Sequence, residues 1–206
     1  MISRRHCKNL RGGFTLLETM LAVVLFTIMT VKVYDTMQAA NRTSRESTSR
    51  VVLEDQARRV LNQIALAVMG ANRETLIPDT PAPLSMSDMR FQVNLGIQDG
   101  QVIWSDPERI ALDDGRQQAF WSANPDAANE YRIVWSNIVT PFLEGEIPNG
   151  MDDNGNGLID EKGLSLEVDR NAVRIRLTLE RLTEEGESVT ETVETTVTCR
   201  NLNVNG

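Results

Sequence analysis

The sequence predicts an α+β protein in which a long N-terminal helix, membrane-spanning in its first half, packs on an antiparallel β-sheet. Three observations carry that expectation. Residues 14–31 form an apolar run broken by a single charge, Glu18. No Pro occurs between Phe14 and Ile77, and Gly13 and Gly70 bracket the stretch. Towards the C-terminus apolar and polar residues alternate, the period of strands packed on one face. The chain therefore divides into a basic leader at 1–13, a helix over 14–70 with its transmembrane part at 14–33, and a mainly antiparallel β domain over 71–206 that carries an acidic loop at 149–163.

The first half of the helix is long enough to cross a bilayer. Eighteen residues at ~1.5 Å each span about 27 Å, close to a hydrocarbon core of about 30 Å. Arg4, Arg5, Lys8 and Arg11 precede the run, and such a flank stays cytoplasmic, which puts everything after Lys32 on the other side. A cleaved signal peptide fits poorly, because its apolar core is shorter and the small-residue candidate near Ala39-Ala40 lies beyond Lys32 and Asp35. An uncleaved signal anchor leaves Gly12-Gly13 and Glu18 without a purpose. A carboxylate at the bilayer centre costs at least about 2.5–3.5 kcal/mol, so Glu18 needs a partner.

The stretch Gly13-Phe14-Thr15-Leu16-Leu17-Glu18 resembles the processing site of type IV prepilins and their relatives in type II secretion. The resemblance implies that a prepilin peptidase cuts after Gly13 and methylates the new N-terminal amine of Phe14. It also implies that Glu18, fifth in the mature chain, pairs with the terminal amine of a neighbouring subunit in the bacterial inner membrane. The physical logic is independent of the family. An amine and a carboxylate are each costly in lipid, and bringing them together from two chains lowers both costs and sets the register between subunits.

After Lys32 the helix becomes one-sided. Leu53, Ala57, Val60, Leu61, Ile64 and Val68 form an apolar stripe, with Glu54, Asp55, Arg58, Arg59 and Gln63 mostly off it. The polar stretch 41–50 is the expected weak point, because its Ser and Thr compete for backbone hydrogen bonds. A break or local melting is expected there. Pro78, Pro81 and Pro83 make 77–88 an extended connector.

Strands are expected at 89–95, 101–104 and 131–139, with a turn at Gln98-Asp99-Gly100. The clearest pattern is Leu164, Leu166, Val168, then Val173, Ile175, Leu177, Leu179, a turn at 184–187, and Val189, Val193, Val197, Cys199. It reads as an antiparallel meander with one wet face and one packed on the helix stripe. Length, long helix and the RIRLTL and TVTCRN segments are most similar to J-type minor pseudopilins and W-type minor pilins. The absence of Pro near the membrane exit and of a C-terminal disulfide departs from the major pilins.

The loop at 149–163 places oxygen side chains at alternating positions, as a hard cation requires. With Asp152 as position one, Asn154 is three, Asn156 five, Gly157 six, the Leu158 carbonyl seven and Asp160 nine, while Ile159 is expected to anchor the loop on the core. This resembles the calcium loops of EF-hand-like, dockerin and thrombospondin-type repeats, and implies calcium as the one candidate cofactor. Gly163 stands at position twelve in place of the usual bidentate acid, with Glu161 the available substitute. The competing reading is an acidic loop that joins two strands without a metal.

Composition excludes several classes of chemistry. The single His is His6 and the two Cys are Cys7 and Cys199, so loss of the leader leaves no His and one Cys, too few for Ser-His-Asp or Cys-His catalysis or a zinc site. Four of the 21 Lys and Arg lie in 1–13, so the rest of the chain sets 17 bases against 29 acids, a balance that disfavours nucleic acid. No catalytic residue is assigned, and the expected role is that of a non-enzymatic minor pilin-like subunit. Its partners would be the prepilin peptidase, other pilin or pseudopilin subunits and the inner-membrane assembly platform. Its outer domain would be periplasmic or extracellular, in priming or at the tip of a pilus or pseudopilus. The alternatives are a tip module for adhesion or DNA uptake, on which an exposed Trp104, Trp121 or Trp135 would bear, and a static membrane-anchored calcium-binding surface domain.

Overall fold

The computed structural model describes residues 15–77, 84–183 and 186–200. The leader with Gly13 and Phe14, the three prolines of the connector and Glu184-Glu185 of the last turn lie outside the described residues. The architecture is α+β: a long apolar N-terminal helix, α1 (Leu16–Gly70), followed by antiparallel sheets. The chain falls into two compact units, Met1–Glu46 and Ser47–Gly206, so the second half of α1 belongs with the β domain.

In the first unit α1 buries none of its side chains; Leu16, Phe26 and Met29 are among the large apolar residues left exposed. Its threonines are compatible with lipid because they satisfy themselves. The hydroxyls of Thr27, Thr30 and Thr36 each donate to the carbonyl four residues back, at 2.8 Å. The break expected at 41–50 does not occur. The helix runs through, and Thr43 bonds back to the Ala39 carbonyl instead of competing with the ladder.

In the second unit the stripe Leu53, Ala57, Val60, Leu61, Ile64 and Val68 is buried as its spacing predicts, joined by Ala65. It shares one core with the first and third of three antiparallel sheets, the second adding no buried residue. The first has the order β1-β4-β5-β6, from β1 (Asp88–Phe91), β4 (Glu108–Asp113), β5 (Gln118–Ala123) and β6 (Tyr131–Ser136). The second is a hairpin of β2 (Asn94–Gln98) and β3 (Gln101–Trp104) around the expected Asp99-Gly100 turn. The third is the C-terminal meander β7 (Leu164–Asp169), β8 (Ala172–Leu182) and β9 (Ser188–Thr198).

Four expectations are corrected. Residues 89–95 are two strands in two sheets, because the backbone at Gln92 and Val93 turns to other partners. Gln92 accepts from Asn72 and donates to Thr75 Oγ1, and Val93 donates to Ser105 Oγ. The strand expected over 131–139 ends at Ser136, and Val139 instead bridges Leu179. β4 and β5 were not expected; each buries two consecutive residues, Ile110-Ala111 and Ala119-Phe120, so the period of two is lost. Finally, the outer face of β8 is not wet at its centre. Arg176 and Thr178 are buried, and groups from the 140–163 segment bond to both: Glu161 to Arg176, Thr140 and Glu144 to Thr178.

Candidate functional site

Two places gather the predicted residues, one at the start of α1 and one over the outer face of β8. At the helix start Thr15 and Glu18 form a reciprocal capping box. Glu18 N–H donates to Thr15 Oγ1 at 3.3 Å, and Thr15 N–H and Oγ1–H reach one Glu18 oxygen at 3.3 and 3.4 Å. The carboxylate thereby satisfies donors that a helix N-terminus leaves unpaired, and it lies at the positive end of the helix dipole. The T-x-x-E spacing that announces this cap is present in the sequence, where it overlaps the Gly13–Glu18 motif. The helix holds one 18-residue window apolar enough to cross a membrane, with none of it buried.

The second place is built on the third sheet. Leu158, rather than the expected Ile159, anchors the acidic loop: Leu158 is buried, whereas Ile159 is only partly so. Asp152 organises the turn by accepting from the backbone N–H groups of Gly155, Asn156 and Gly157 at 2.7, 3.1 and 2.8 Å. Gly157, at the sixth place, takes the left-handed conformation that its position demands, with φ at 91°. Asn154 Oδ1 accepts from Asn156 N–H, and Asn156 Oδ1 from Leu158 N–H. The side-chain amide nitrogens of both converge on Glu161 Oε2, at 3.4 and 2.7 Å. Asp160 points to the neck of the loop instead, accepting from Asn149 and Gly150 N–H at 3.0 Å.

Glu161 is completely buried, and its Oε1 is paired at 2.8 Å with Arg176 Nη1. Arg176 Nε also donates to Glu194 at 2.7 Å, and Glu167 lies 3.9 Å from Nη1. Burial works against the Arg176 charge, but Glu194, Glu161 and Glu167 outweigh it and raise its pKa. Position twelve is Gly163 for a steric reason. A Cβ there would lie 1.9 Å from the Thr140 carbonyl oxygen, so no acid can occupy it without moving the backbone.

One acidic residue beside the loop was not expected from any motif. Glu146 is 8% exposed; its Oε1 accepts from Asn154 N–H at 3.2 Å, and its Oε2 is buried without a hydrogen-bond partner. Burial raises its pKa, the Asn154 N–H opposes the rise, and Glu161, Asp153 and Asp152 add to it. No group of three His, Cys, Asp or Glu side chains is gathered at metal-binding range among the described residues. In this loop the acids are interleaved with amides and carbonyls. Cys199 is buried, and burial pushes its thiol up in pKa, away from nucleophilic use. Trp104, Trp121 and Trp135 are all half-buried, the last two packed against the core. No family model, curated protein or solved structure matches the chain.

Proposed function

We propose that this chain is a non-enzymatic structural subunit of a type IV pilus-like or type II secretion fibre, held in the bacterial inner membrane by α1 and assembled through it. The observation that supports the reading most directly is the first half of α1: an apolar helix without one buried side chain, carrying a single carboxylate at its start. Such a surface calls for lipid or for like helices. A prepilin peptidase would cut after Gly13 and methylate Phe14, with the basic leader on the cytoplasmic side and the β domain outside. The amine of one subunit then meets Glu18 of the next, so that the ion pair sets axial register between helices whose apolar faces alone would slide.

The test must separate this role from the capping box. Glu18→Gln keeps a side chain suited to the capping position and removes only the charge, whereas Glu18→Ala removes both. In native cells both variants should be processed to a chain beginning at N-methylated Phe14, measured by intact mass. Both should be lost from sheared fibres or pseudopili by about tenfold or more, the equivalent of ~1.4 kcal/mol per subunit contact or above. Wild-type-like incorporation of Glu18→Gln would sink the ion-pair reading, and a mature chain still beginning at Met1 would sink the assembly reading altogether. The exposed apolar residues Leu95 and Ile97 of the β2–β3 hairpin favour a second reading, a contact surface on the outer domain for a tip partner.

A further inference from the structure

We propose that residues 146–161 form a calcium site in which Glu146, outside the loop motif, supplies the carboxylate that Gly163 leaves missing at the twelfth place. Every residue involved lies in the second unit, so the proposal stands or falls apart from the assembly role of α1.

One buried atom beside the loop is uncompensated. Glu146 Oε2 is buried and has no hydrogen-bond partner, although the other oxygen of the same carboxylate is bonded to the loop through Asn154 N–H. A buried, unpaired carboxylate oxygen is costly, and the charges of Glu161, Asp153 and Asp152 that act on it are negative too. A hard cation is the group that would answer all of these at once. Gly145, with φ at 87°, turns the chain immediately before Glu146, and a Cβ on it would lie only 3.3 Å from Asn154 Cβ. The backbone at Glu146 is therefore held close against the loop.

The remaining ligands follow from the loop itself. The Asn154 and Asn156 amides both direct nitrogen at Glu161 Oε2, placing partial positive charge against that carboxylate. A half-turn of each amide would bring its oxygen to that place, giving up the bonds from the Asn156 and Leu158 N–H groups in exchange for the cation. Asp152, the Leu158 carbonyl and the Oε2 of Glu161 are the further oxygens the segment offers, and a bound ion would have to draw them together, since among the described residues no three acids stand at metal-binding range without it. Ligands of this type select a hard cation, and the segment has no His or Cys for a softer one. A mixed set of carboxylate, amide and carbonyl oxygens suits the six to eight ligands and loose geometry of calcium better than the strict octahedron of magnesium. Bound there, the ion would lock the acidic loop onto β8 through Glu161 and Arg176.

The test uses the full-length chain in detergent, stripped with EGTA and titrated with CaCl₂ while thermal melting is followed by Trp fluorescence. The expected result is a saturable rise in midpoint with Kd near the ~10⁻⁴–10⁻³ M of extracellular calcium modules, and little response to equal MgCl₂. At tenfold excess over Kd the native state gains about elevenfold against unfolding. Glu146→Gln should weaken calcium binding about tenfold or more yet melt in EGTA no lower than wild type, because it removes a buried unpaired charge. If that variant fails to fold, Asp152→Asn must show the same loss of response, read against its own EGTA midpoint because it also gives up a backbone N–H contact of the turn. A wild-type chain indifferent to about 10 mM CaCl₂, above that affinity range, or a Glu146→Gln chain with wild-type affinity, overturns the proposal.

Discussion

Glu18 and Glu161 are carboxylates in opposite settings: Glu18 stands on a helix face that buries nothing, whereas Glu161 is completely enclosed among polar partners. The chain answers the Glu161 charge internally, with a guanidinium at 2.8 Å that is itself shared with Glu194. Among the described residues Glu18 is given only the hydroxyl and amide of its own Thr15. Burying Glu161 without Arg176 would cost several kcal/mol, so that pair is part of the scaffold and holds the acidic loop on β8. A capping box is worth far less than an ion pair in lipid, so the charge of Glu18 remains available for a counterion from another chain. A charge met by a cation of its own chain marks a residue that builds the fold. Partial compensation on an open apolar surface is what the proposed joining of subunits requires.

The sharpest way to break this contrast is to remove Arg176. Arg176→Ala leaves Glu161 buried without its cation and should destabilise the β domain by about 3–5 kcal/mol in urea unfolding followed by Trp fluorescence. Because Glu161 and Arg176 act as a unit, Glu161→Gln combined with Arg176→Met should cost clearly less than the sum of the two single changes. Additive costs would mean that the pair is two independent contacts, and the distinction from Glu18 would lose its basis.

A somewhat smaller effect separates the two halves of α1. Ile64 is completely buried in the shared core, and Ile64→Ala should cost about 2–5 kcal/mol of β-domain stability. Val24 is 54% exposed, and Val24→Ala should leave the same unfolding transition within about 0.5 kcal/mol. A Val24→Ala chain destabilised like Ile64→Ala would show that the first half supports the fold directly, contrary to the division at Glu46 and Ser47.

Much of this organisation was legible in the residues because long, regular periods survive translation into structure. The stripe from Leu53 to Val68 and the alternation through β7, β8 and β9 are each one period repeated over many residues. β4 and β5 were illegible for the converse reason: with residues buried on both faces over six positions, neither the helical nor the strand period has room to show. The split at Gln92-Val93 depends on Thr75 and Ser105, which no local pattern connects to it. In the acidic loop the alternating oxygens were visible, but Glu146 lies outside the spacing and only the fold brings it to Asn154. Arg176 was hidden in the same way, since alternation assigns it to the solvent face and the loop that covers it comes from elsewhere in the chain. The reason for Gly163 likewise appears only when Thr140 is seen against it.

The smallest effect bears most finely on Glu18. Thr15→Ala removes the hydroxyl that accepts from Glu18 N–H, while Thr15→Ser preserves it. Loss of such a cap costs about 1 kcal/mol, which should show as roughly fivefold faster amide exchange in the first turn of α1 in detergent. Neither the β-domain transition nor exchange beyond the first turn should move, because the cap is local. Glu18 keeps its charge in this variant, so assembly should fall only slightly if an amine from a neighbour is its functional counterpart. If Thr15→Ala abolished incorporation as completely as Glu18→Ala, the essential property would be the ordered helix start rather than the charge, and Glu18 would belong with Glu161 among the residues that serve their own chain alone.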